Sequence, residues 1–437
     1  MRVALLATYE LGRQPFGLAS PAAWLRAAGH HVTVADLACS PIPWPEVEQA
    51  ELIAFHIPMH TATRLFLRVV ERVQRANPWA HFCAYGLYAP LNAPMLRRIG
   101  VHSILGGEFE QRLLELASGA CGDGMVSLER QKFQVPDRTG LPPLEAYAQL
   151  MTEGGPRLVG YTESSRGCLH FCRHCPITPV YRGAFRVVQR DVVLEDIRGQ
   201  IDAGARHITF GDPDFFNGPA HGIQIVEEMH RHWPEVSYDV TIKIEHLLRR
   251  RELLPVLVAT GCAFVTSAVE SMEDTVLERL RKGHTRADFL EALRLMRSAD
   301  LPLSPTFLPF TPWTTLGSYR QFLQELAGLG LAGQVPSIQF GIRLLIPAGS
   351  AMLELPEIRA CIEPFDPRGL CYPWHGAPEV DALCVSIQET VKRAERKKEP
   401  REQIFRRIWD LAGAGAFPDI PLADRATIPY LTEPWYC

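Results

Sequence analysis

Short apolar runs alternate with amphipathic stretches along most of this 437-residue chain. Such alternation is typical of parallel βα folds, because each helix covers the sheet that the strands before and after it build. In the first 120 residues the strand-like runs are RVALLAT, HVTVADL, ELIAFHIP, HFCAYGL and HSILGG. Residues 1–120 are therefore predicted to form a Rossmann-like, doubly wound parallel sheet. The first βα turn, TYELGRQPFG, lacks the GxGxxG pattern of dinucleotide-binding domains.

The alternation resumes after a loop-rich segment. Pro and Gly punctuate residues 121–156, which predicts a linker. Six apolar runs in 157–350 predict six βα units, too few for a closed eight-fold barrel but suited to a (β/α)6 partial TIM barrel. Residues 351–437 are Pro-rich, then helical, then irregular, and predict an α-rich C-terminal extension. The predicted fold class is α/β.

Composition excludes several classes of partner. A net charge of −4 gives no reason to expect nucleic acid as a partner. No segment reaches about 18 uncharged apolar residues, so no membrane span is predicted. The first apolar run is too short for a signal-peptide core, which predicts a cytoplasmic protein. In that compartment the 11 cysteines are expected as free thiols or metal ligands, not disulfides.

Three of these cysteines lie within eight residues, in GCLHFCRHCP, with the spacing CxxxCxxC: Cys168, Cys172 and Cys175. They follow the first predicted strand of the second array, at the strand end where βα barrels carry their active sites. Thiolates hold iron–sulfur cubanes, and three of them leave one iron with the open position that catalytic metal sites retain. The motif predicts a catalytic cluster. A structural zinc site that adds His170 or His174 is the alternative.

This motif, after the first strand of a partial barrel, resembles that of the radical S-adenosylmethionine (SAM) enzymes. The resemblance implies a 4Fe–4S cluster on Cys168, Cys172 and Cys175, whose open iron chelates the amino and carboxylate groups of SAM. Reductive cleavage would release a 5′-deoxyadenosyl radical that modifies a small molecule, by methylation or group transfer. A flavodoxin or ferredoxin would supply electrons. His174 stands where the family usually has an aromatic residue near the adenine.

TFGDPD at 209–214 resembles the family's backbone segment that pairs with the methionine amino group of SAM. This similarity nominates Gly211, Asp212 and Asp214 for cofactor binding. The alternative for the two aspartates is a strand-end turn in which they cap the following helix.

SAVESMED at 267–274, followed by KGHT at 282–285, resembles the family's fourth-strand region, which contacts the ribose and carboxylate of SAM. Ser267, Glu270 and Ser271 are nominated on this basis. For Glu270 the alternative is a cap at the N-terminus of the next helix.

The sequence leaves two alternative roles each for one arginine and for three further cysteines. Arg343, in RLLIP at the end of the sixth predicted strand, would meet a cofactor carboxylate or form an exposed salt bridge. Cys361, Cys371 and Cys384 would hold an auxiliary cluster or, in the case of Cys384, pack in the core.

A Rossmann-like sheet before this barrel is similar to the domain order of the cobalamin-binding class of radical SAM enzymes. PFGLASPAAWLRAAGHHVTVADL resembles that class's first helix and second strand. The DxHxxG motif that supplies a histidine ligand to cobalt is absent. Members of the class without this motif include cobalamin binders and others without the cofactor, so the resemblance leaves cobalamin open.

The last residues, IPYLTEPWYC, together with GCLHFCRHCP, FGDPDFFNG and SAVES, resemble the CUAEP/CCAEP-tail radical SAM proteins. These end in cysteine, then selenocysteine or cysteine, then Ala-Glu-Pro. The resemblance implies that Cys437 is the first residue of such a tail and that the next codon is a UGA meant as selenocysteine.

Two other functions remain as alternatives. In the first, the same cluster breaks a different carbon–sulfur bond of SAM and an aminocarboxypropyl group is transferred to a soft acceptor. In the second, the protein is a non-enzymatic iron–sulfur redox sensor. The barrel disfavours the sensor, which needs no such scaffold.

Overall fold

The computed structural model describes residues 1–120, 124–419 and 427–433. Two sheets with flanking helices are followed by a mainly helical C-terminal part. Within these described ranges, no helix has the length and apolar character needed to cross a membrane.

The N-terminal sheet is parallel throughout, with the strand order β2-β1-β3-β4-β5-β6. Its strands are β1 (Arg2–Ala7), β2 (His31–Asp36), β3 (Leu52–His56), β4 (His81–Tyr85), β5 (Ser103–Gly107) and β6 (Val126–Ser127). Its helices are α1 (Phe16–Ala27), α2 (Trp44–Gln49), α3 (His60–Ala76), α4 (Tyr88–Leu91), α5 (Ala93–Arg98) and α6 (Glu110–Ala117). The first five strands match the five predicted runs, while β6 lies in the predicted linker.

Alternate residues of β1 enter two different apolar cores. Ala4 and Leu6 pack in one, and Val3 and Leu5 in the other. Because successive side chains of a strand point to opposite faces, both faces of this sheet are buried. That is the doubly wound arrangement expected from the sequence.

The second sheet has the order β14-β13-β12-β11-β8-β7-β15. Its strands are β7 (Gln149–Thr152), β8 (Gly155–Thr162), β11 (His207–Phe210), β12 (Ser237–Thr241), β13 (Cys262–Glu270), β14 (Leu303–Phe307) and β15 (Tyr430–Leu431). Strand β8 and strands β11 to β14 are parallel, whereas β7 forms an antiparallel hairpin with β8, and β15 pairs antiparallel with β7. A separate antiparallel ribbon joins β9 (Ser165–Gly167) and β10 (Phe185–Val187).

Helices cover the barrel and build the C-terminal part. They are α7 (Ile177–Tyr181), α8 (Arg190–Asp202), α9 (Pro219–His232), α10 (Ile244–Arg249), α11 (Leu254–Ala259), α12 (Asp274–Leu280), α13 (Arg286–Ser298), α14 (Leu316–Gly328), α15 (Pro356–Cys361), α16 (Pro378–Arg396) and α17 (Arg401–Ala412). Short 3-10 turns form at Leu144–Ala146, Phe215–Asn217, Arg251–Leu253, Ser337–Gly341 and Ala351–Glu354.

The sixth predicted barrel strand is reduced to a single bridge. Ser337–Gly341 form a 3-10 turn, and Arg343 makes an isolated parallel bridge with Phe310. Two backbone hydrogen bonds support it: Phe310 N donates to Ile342 O at 3.2 Å, and Leu344 N to Phe310 O at 2.8 Å. A short apolar run cannot be distinguished from a buried helical turn by periodicity alone, so the strand was over-predicted. The α/β class, with a Rossmann-like sheet and a partial TIM barrel, is confirmed.

Candidate active site

The cysteine loop follows the short strand β9, which comes just after the barrel strand β8. Gly167 precedes the first cysteine with φ 75°, and a Cβ there would lie 2.4 Å from Ala184 O, so glycine is required. Backbone contacts fix the loop on both sides: Cys168 N donates to Ala184 O at 3.1 Å, and Arg173 N donates to Leu280 O at 2.9 Å. The second contact joins the loop to the end of α12.

Cys168, Cys172 and Cys175 interact electrostatically through their thiols. Burial is the main cause that raises the pKa of Cys175 to about 12; the two other thiols add to the rise, and the Ile177 backbone and Lys282 oppose it. Three such thiols need added positive charge to become thiolates together, and iron supplies it. The thiols therefore suit an iron–sulfur cluster.

The spacing of these thiols bears on the choice between a cluster and a zinc site. Thiolates on one tetrahedral zinc ion lie about 3.8 Å apart, given metal–sulfur bonds of about 2.3 Å. In the part of the chain that the structure describes, no group that includes these cysteines has its ligand atoms all within 4.8 Å of one another. The three thiols are therefore not already gathered in the arrangement of one tetrahedral zinc site, and both assignments stay predictions.

A buried charge network faces the cysteine loop from β13. His174 Nε2 lies 3.1 Å from Glu270 Oε1, and Lys282 Nζ lies 3.3 Å from the same oxygen. Burial alone would raise the pKa of Glu270, but the Lys282 charge and the His174 contact outweigh it and lower that pKa to about 2. Burial opposes the charge of Lys282, while Glu270, Cys172 and Cys175 raise its pKa. A buried ammonium group thus faces two of the cluster thiols.

The sequence prediction did not name Lys282, although KGHT was quoted as part of the family resemblance. In the sequence, Lys282 is only a lysine shortly after α12. The fold shows that its ammonium group lies near Cys172 and Cys175. Glu270 has φ 70°, a left-handed conformation that is unusual for a glutamate, at a register shift between β13 and β14. Such strain often marks functional positions.

The other fourth-strand candidates lie elsewhere. Thr266 of β13 lines the barrel cavity. Because successive side chains of a strand point to opposite faces, the neighbouring Ser267 points away from that cavity, and it is fully buried. Ser271 Oγ accepts a hydrogen bond from Glu273 N at 3.0 Å, which is a local turn. Glu273, not Glu270, precedes α12 as its N-cap residue. The structure therefore brings Glu270 to the cysteine loop but supplies no such contact for the two serines.

The segment after β11 fixes the entrance to the cysteine loop. Asp212 is buried and accepts hydrogen bonds from Ser164 N at 2.9 Å, from Ser164 Oγ at 2.6 Å and from Ser165 Oγ. Gly211 has no room for a side chain, since a Cβ would lie 2.0 Å from Tyr161 Oη. Asp212 is thus a brace between β11 and the loop that leads to the cysteines.

Asp214 caps the 3-10 turn Phe215–Asn217, as its Oδ1 accepts from Phe216 N at 3.1 Å. Asp214 therefore has the capping role that was the alternative to cofactor binding. Its second oxygen, Oδ2, takes no part in this cap.

Arg343 is engaged away from the cysteine loop. Its Nη1 lies 2.6 Å from Asp381 Oδ1, its Nη2 donates to Trp374 O, and its guanidinium stacks on the Trp374 ring at 3.6 Å. The side chain is about one quarter exposed. This is the salt-bridge alternative, so the structure gives no support to a cofactor contact by Arg343.

The three C-terminal cysteines have separate environments. Cys361 Sγ donates to Ile358 O, Cys384 is buried against Gly341 O, and the pKa of Cys371 is raised by burial and by Asp366. An auxiliary cluster there stays a prediction. Cys437 lies outside the described residues.

A cavity of about 320 Å³ lies between the N-terminal sheet and the barrel. Its lining comes from the loops after β1, β3, β4 and β5 and from the cysteine loop, at Glu10, His56, Gly86, Gly107 and Arg166 among others. In sheets of order 2-1-3-4-5, ligands bind outside the strand ends near the β1/β3 switch point, where this cavity lies. A second cavity of about 280 Å³ inside the barrel shares Leu11, Arg13 and Gly211 with it.

Arg166 joins the two halves of the molecule beside this cavity. Its guanidinium contacts Glu110 at 2.7 Å, Glu163 at 2.7 Å and Glu108 at 3.8 Å, and lies 4.8 Å from the Phe109 ring centre. Two of these carboxylates, those of Glu108 and Glu110, follow β5 of the N-terminal sheet. This ion network lies two residues before Cys168, so the N-terminal sheet supports the base of the cysteine loop.

His56, at the end of β3, is a cavity-lining histidine that the sequence prediction did not name. Its Nδ1 lies 3.5 Å from Glu10 Oε2, and the ring occupies the space that a Cβ on Gly17 would need, at 2.1 Å. The cavity volume suits a small molecule or one part of a cobalamin. The His56 residue is 5 % exposed to solvent and lines the cavity beside Glu10.

Comparison with known proteins identifies the barrel. Residues 162–323 match the model of the radical SAM superfamily. The chain is 26% identical over 151 residues to the hopanoid C-3 methylase of Methylococcus capsulatus, covering 35% of this chain and 29% of that protein. It is 25% identical over 199 residues to the bacteriochlorophyllide d C-12(1)-methyltransferase of Chlorobaculum tepidum, covering 44% and 42%. The chain therefore spans less than half the length of these relatives.

Solved structures resemble a larger part of the chain. TsrM from Kitasatospora setae, a radical SAM methyltransferase solved with tryptophan and a SAM analogue, matches with a TM-score of 0.62 and 15% identity, covering 83% of this chain and 78% of TsrM. OxsB, a cobalamin-dependent radical SAM enzyme solved with aqua-cobalamin, matches with a TM-score of 0.66 and 14% identity, covering 90% and 67%. At such low identity these matches show a shared fold. Residues 162–323 therefore form a radical SAM domain, a kind of domain whose cofactors are a 4Fe–4S cluster and SAM.

Proposed function

We propose that this enzyme uses Cys168, Cys172 and Cys175 to hold the 4Fe–4S cluster and modifies a small molecule by methyl or group transfer. The observation that carries the proposal is the cysteine loop itself, which lies at the carboxyl end of β8 with Lys282 facing two of its thiols. When bound, the cluster supplies an electron to SAM and a 5′-deoxyadenosyl radical is released.

The surrounding residues have separable tasks in this proposal. Lys282 offsets the negative charge of the thiolates. Glu270, with a pKa of about 2, stays ionised at neutral pH and holds both Lys282 and His174 in place. Asp212 fixes the start of the loop, and Gly211 leaves room for the Tyr161 side chain to pack against the end of β11.

The two adjoining cavities favour a small-molecule substrate, because their volumes of about 320 and 280 Å³ suit such ligands. The names of the two methylating relatives support methyl transfer as the reaction. If cobalamin takes part, we place it between the N-terminal sheet and the barrel mouth. Purification with hydroxocobalamin tests this: retained colour supports the cofactor, and a colourless protein under saturating cobalamin favours a domain without it.

Nucleoside analysis tests the reaction. The holoenzyme is reconstituted anaerobically and incubated with dithionite and SAM, and the products are identified by mass spectrometry. We expect 5′-deoxyadenosine. Release of 5′-methylthioadenosine would instead establish aminocarboxypropyl transfer. A protein with about four irons per chain that leaves SAM intact under reduction would contradict both. A flavodoxin or ferredoxin as reductant stays a prediction.

We also propose the CUAEP/CCAEP-tail assignment. Strand β15 pairs with β7, and Glu433 lies 2.5 Å from Arg13, which lines both cavities. Pro429, Tyr430, Leu431 and Glu433 line the barrel cavity, so the last described residues run along that cavity. The gene provides the test: a UGA after the Cys437 codon followed by Ala-Glu-Pro codons would support the assignment, and any other stop codon would contradict it.

A further inference from the structure

Three side chains from separate elements meet beside the first cysteine of the loop. His170 belongs to the cysteine loop, Asp214 follows β11, and His246 lies on α10. Asp214 Oδ2 is 2.7 Å from His246 Nδ1 and 3.8 Å from His170 Nε2. One potential ligand atom from each residue lies within 4.8 Å of the other two.

His246 Nδ1 and Asp214 Oδ2 form an ion contact with poor hydrogen-bond alignment, and His170 Nε2 lies farther from the same oxygen. His170 Nε2, Asp214 Oδ2 and His246 Nδ1 are all buried without an aligned hydrogen bond. The Asp214 side chain is fully buried. A buried polar atom without a well-aligned partner is unfavourable by up to about 1–3 kcal/mol, so a group that contacts all three atoms would stabilise this cluster. A cation is such a group.

A hydrogen bond orients Asp214, and a carboxylate lies near the opposite side of the His170 ring. Asp214 Oδ1 accepts from Phe216 N at 3.1 Å, which leaves Oδ2 directed toward the histidines. The opposite ring nitrogen of His170, Nδ1, lies 3.6 Å from Glu245 Oε2. Metal-binding histidines commonly present their second nitrogen to a carboxylate, which fixes the tautomer and the ring.

We propose that His170, Asp214 and His246 bind one divalent transition-metal ion that is distinct from the iron–sulfur cluster. Two imidazoles and one carboxylate are the ligands of many zinc sites and of non-haem iron(II) sites with open positions. The two histidine side chains are 17% and 12% exposed, so the ion has access to solvent on one side. Its open positions would take water or an anionic oxygen of a bound ligand. The site does not depend on SAM cleavage.

Manganese binding to the reconstituted holoenzyme tests the site. The oxidised 4Fe–4S cluster is silent in electron paramagnetic resonance, so the loss of the free Mn²⁺ signal reports binding directly. We expect one Mn²⁺ per chain, displaced by Zn²⁺, which binds such ligands more tightly. His246→Gln should weaken Mn²⁺ binding by at least about tenfold, because even residues behind metal ligands contribute that much. Its iron content should stay at about four per chain.

His375→Gln is the matched control, since this imidazole also lies between two carboxylates, Glu363 and Asp381, but is 68% exposed. It should leave Mn²⁺ binding unchanged. Asp214→Asn removes a turn cap as well, so His170→Gln is the better second variant and should also weaken binding. Equal binding by wild type and His246→Gln, or equal losses in His246→Gln and His375→Gln, would overturn the proposal. The Mn²⁺ measurement tests only the metal site. The proposed reaction is tested separately, by the nucleoside products of SAM cleavage, so failure of one proposal can be distinguished from failure of the other.

Discussion

The N-terminal sheet and the barrel are both parallel βα arrays, but their strand ends carry different chemistry. At the N-terminal sheet, glycines such as Gly86 and Gly107 line a cavity, and the carboxylates of Glu108 and Glu110 after β5 contact Arg166. At the barrel, the strand ends carry the cysteine loop and the Glu270–Lys282 pair. Under the proposed function, the same architecture serves as a support in one half and as a reaction site in the other.

Arg166 and Lys282 make this comparison testable, because each is a buried cation held by carboxylates. Arg166 faces three glutamates at the domain contact, whereas Lys282 faces one glutamate and two thiols. Removal of the first should affect mainly stability, and removal of the second mainly the reaction.

The largest effect is expected from the cluster ligands. Cys168→Ala, Cys172→Ala or Cys175→Ala should each abolish SAM cleavage and the iron–sulfur absorbance near about 410 nm, since a cubane needs all three thiolates. Circular dichroism should show a largely unchanged fold. Cys361→Ala is the control and should keep cluster and activity. A triple cysteine variant that retained both would refute the assignment, and loss of half the iron in Cys361→Ala would reveal a second cluster.

The second largest effect is expected for Arg166→Met. It leaves Glu108, Glu110 and Glu163 buried without their cation, and breaking a buried ion pair typically costs about 3–5 kcal/mol. Urea unfolding should show this loss of stability. Arg75→Met removes a surface pair with Glu71 and should change the unfolding free energy by about 1 kcal/mol or less. Equal effects of the two substitutions would mean that the domain contact does not depend on Arg166.

For Lys282→Met we expect an effect smaller in free energy than that of Arg166→Met. It should appear mainly as a lower reaction rate and less as a loss of stability. Loss of a preorganised charge at a reacting centre costs on the order of 100-fold in rate. The rate of 5′-deoxyadenosine formation per intact cluster measures it, and Lys282→Arg should restore part of the rate. Lys397→Met, at an exposed position, is the control. A normal rate per cluster in Lys282→Met would assign Lys282 a purely structural role.

The sequence contained enough to predict the alternation of elements and the cysteine motif, because both are local patterns. It could not show that Lys282 returns to the cysteines or that Arg166 meets glutamates 56 residues earlier, since these contacts depend on strand order. Ser267 was nominated from its position in a motif, but strand alternation turns it away from the barrel cavity. Local patterns thus located the site, whereas the electrostatic partners required the fold.

The smallest expected effect concerns the pH dependence of the domain contact. Burial raises the pKa of Glu108 to about 7; Arg166 opposes the shift and Glu110 adds to it. A carboxyl group whose folded-state pKa is raised contributes stability that is fully present below about pH 4.5 and lost as the pH rises through about 7.

Glu108→Gln resembles the protonated form and keeps an acceptor for the Tyr181 hydroxyl, which donates to Glu108 Oε1 at 3.0 Å. The wild type should therefore lose stability relative to this variant between pH 5 and 8, by on the order of 2 kcal/mol. Urea unfolding at several pH values measures the difference, with the exposed Glu291→Gln as control. If the wild type instead gained stability relative to Glu108→Gln over this range, Glu108 would be an ionised partner of Arg166. The Glu108–Arg166 contact would then be an ion pair of two charged groups, like the Glu270–Lys282 pair of the barrel, despite the burial of Glu108.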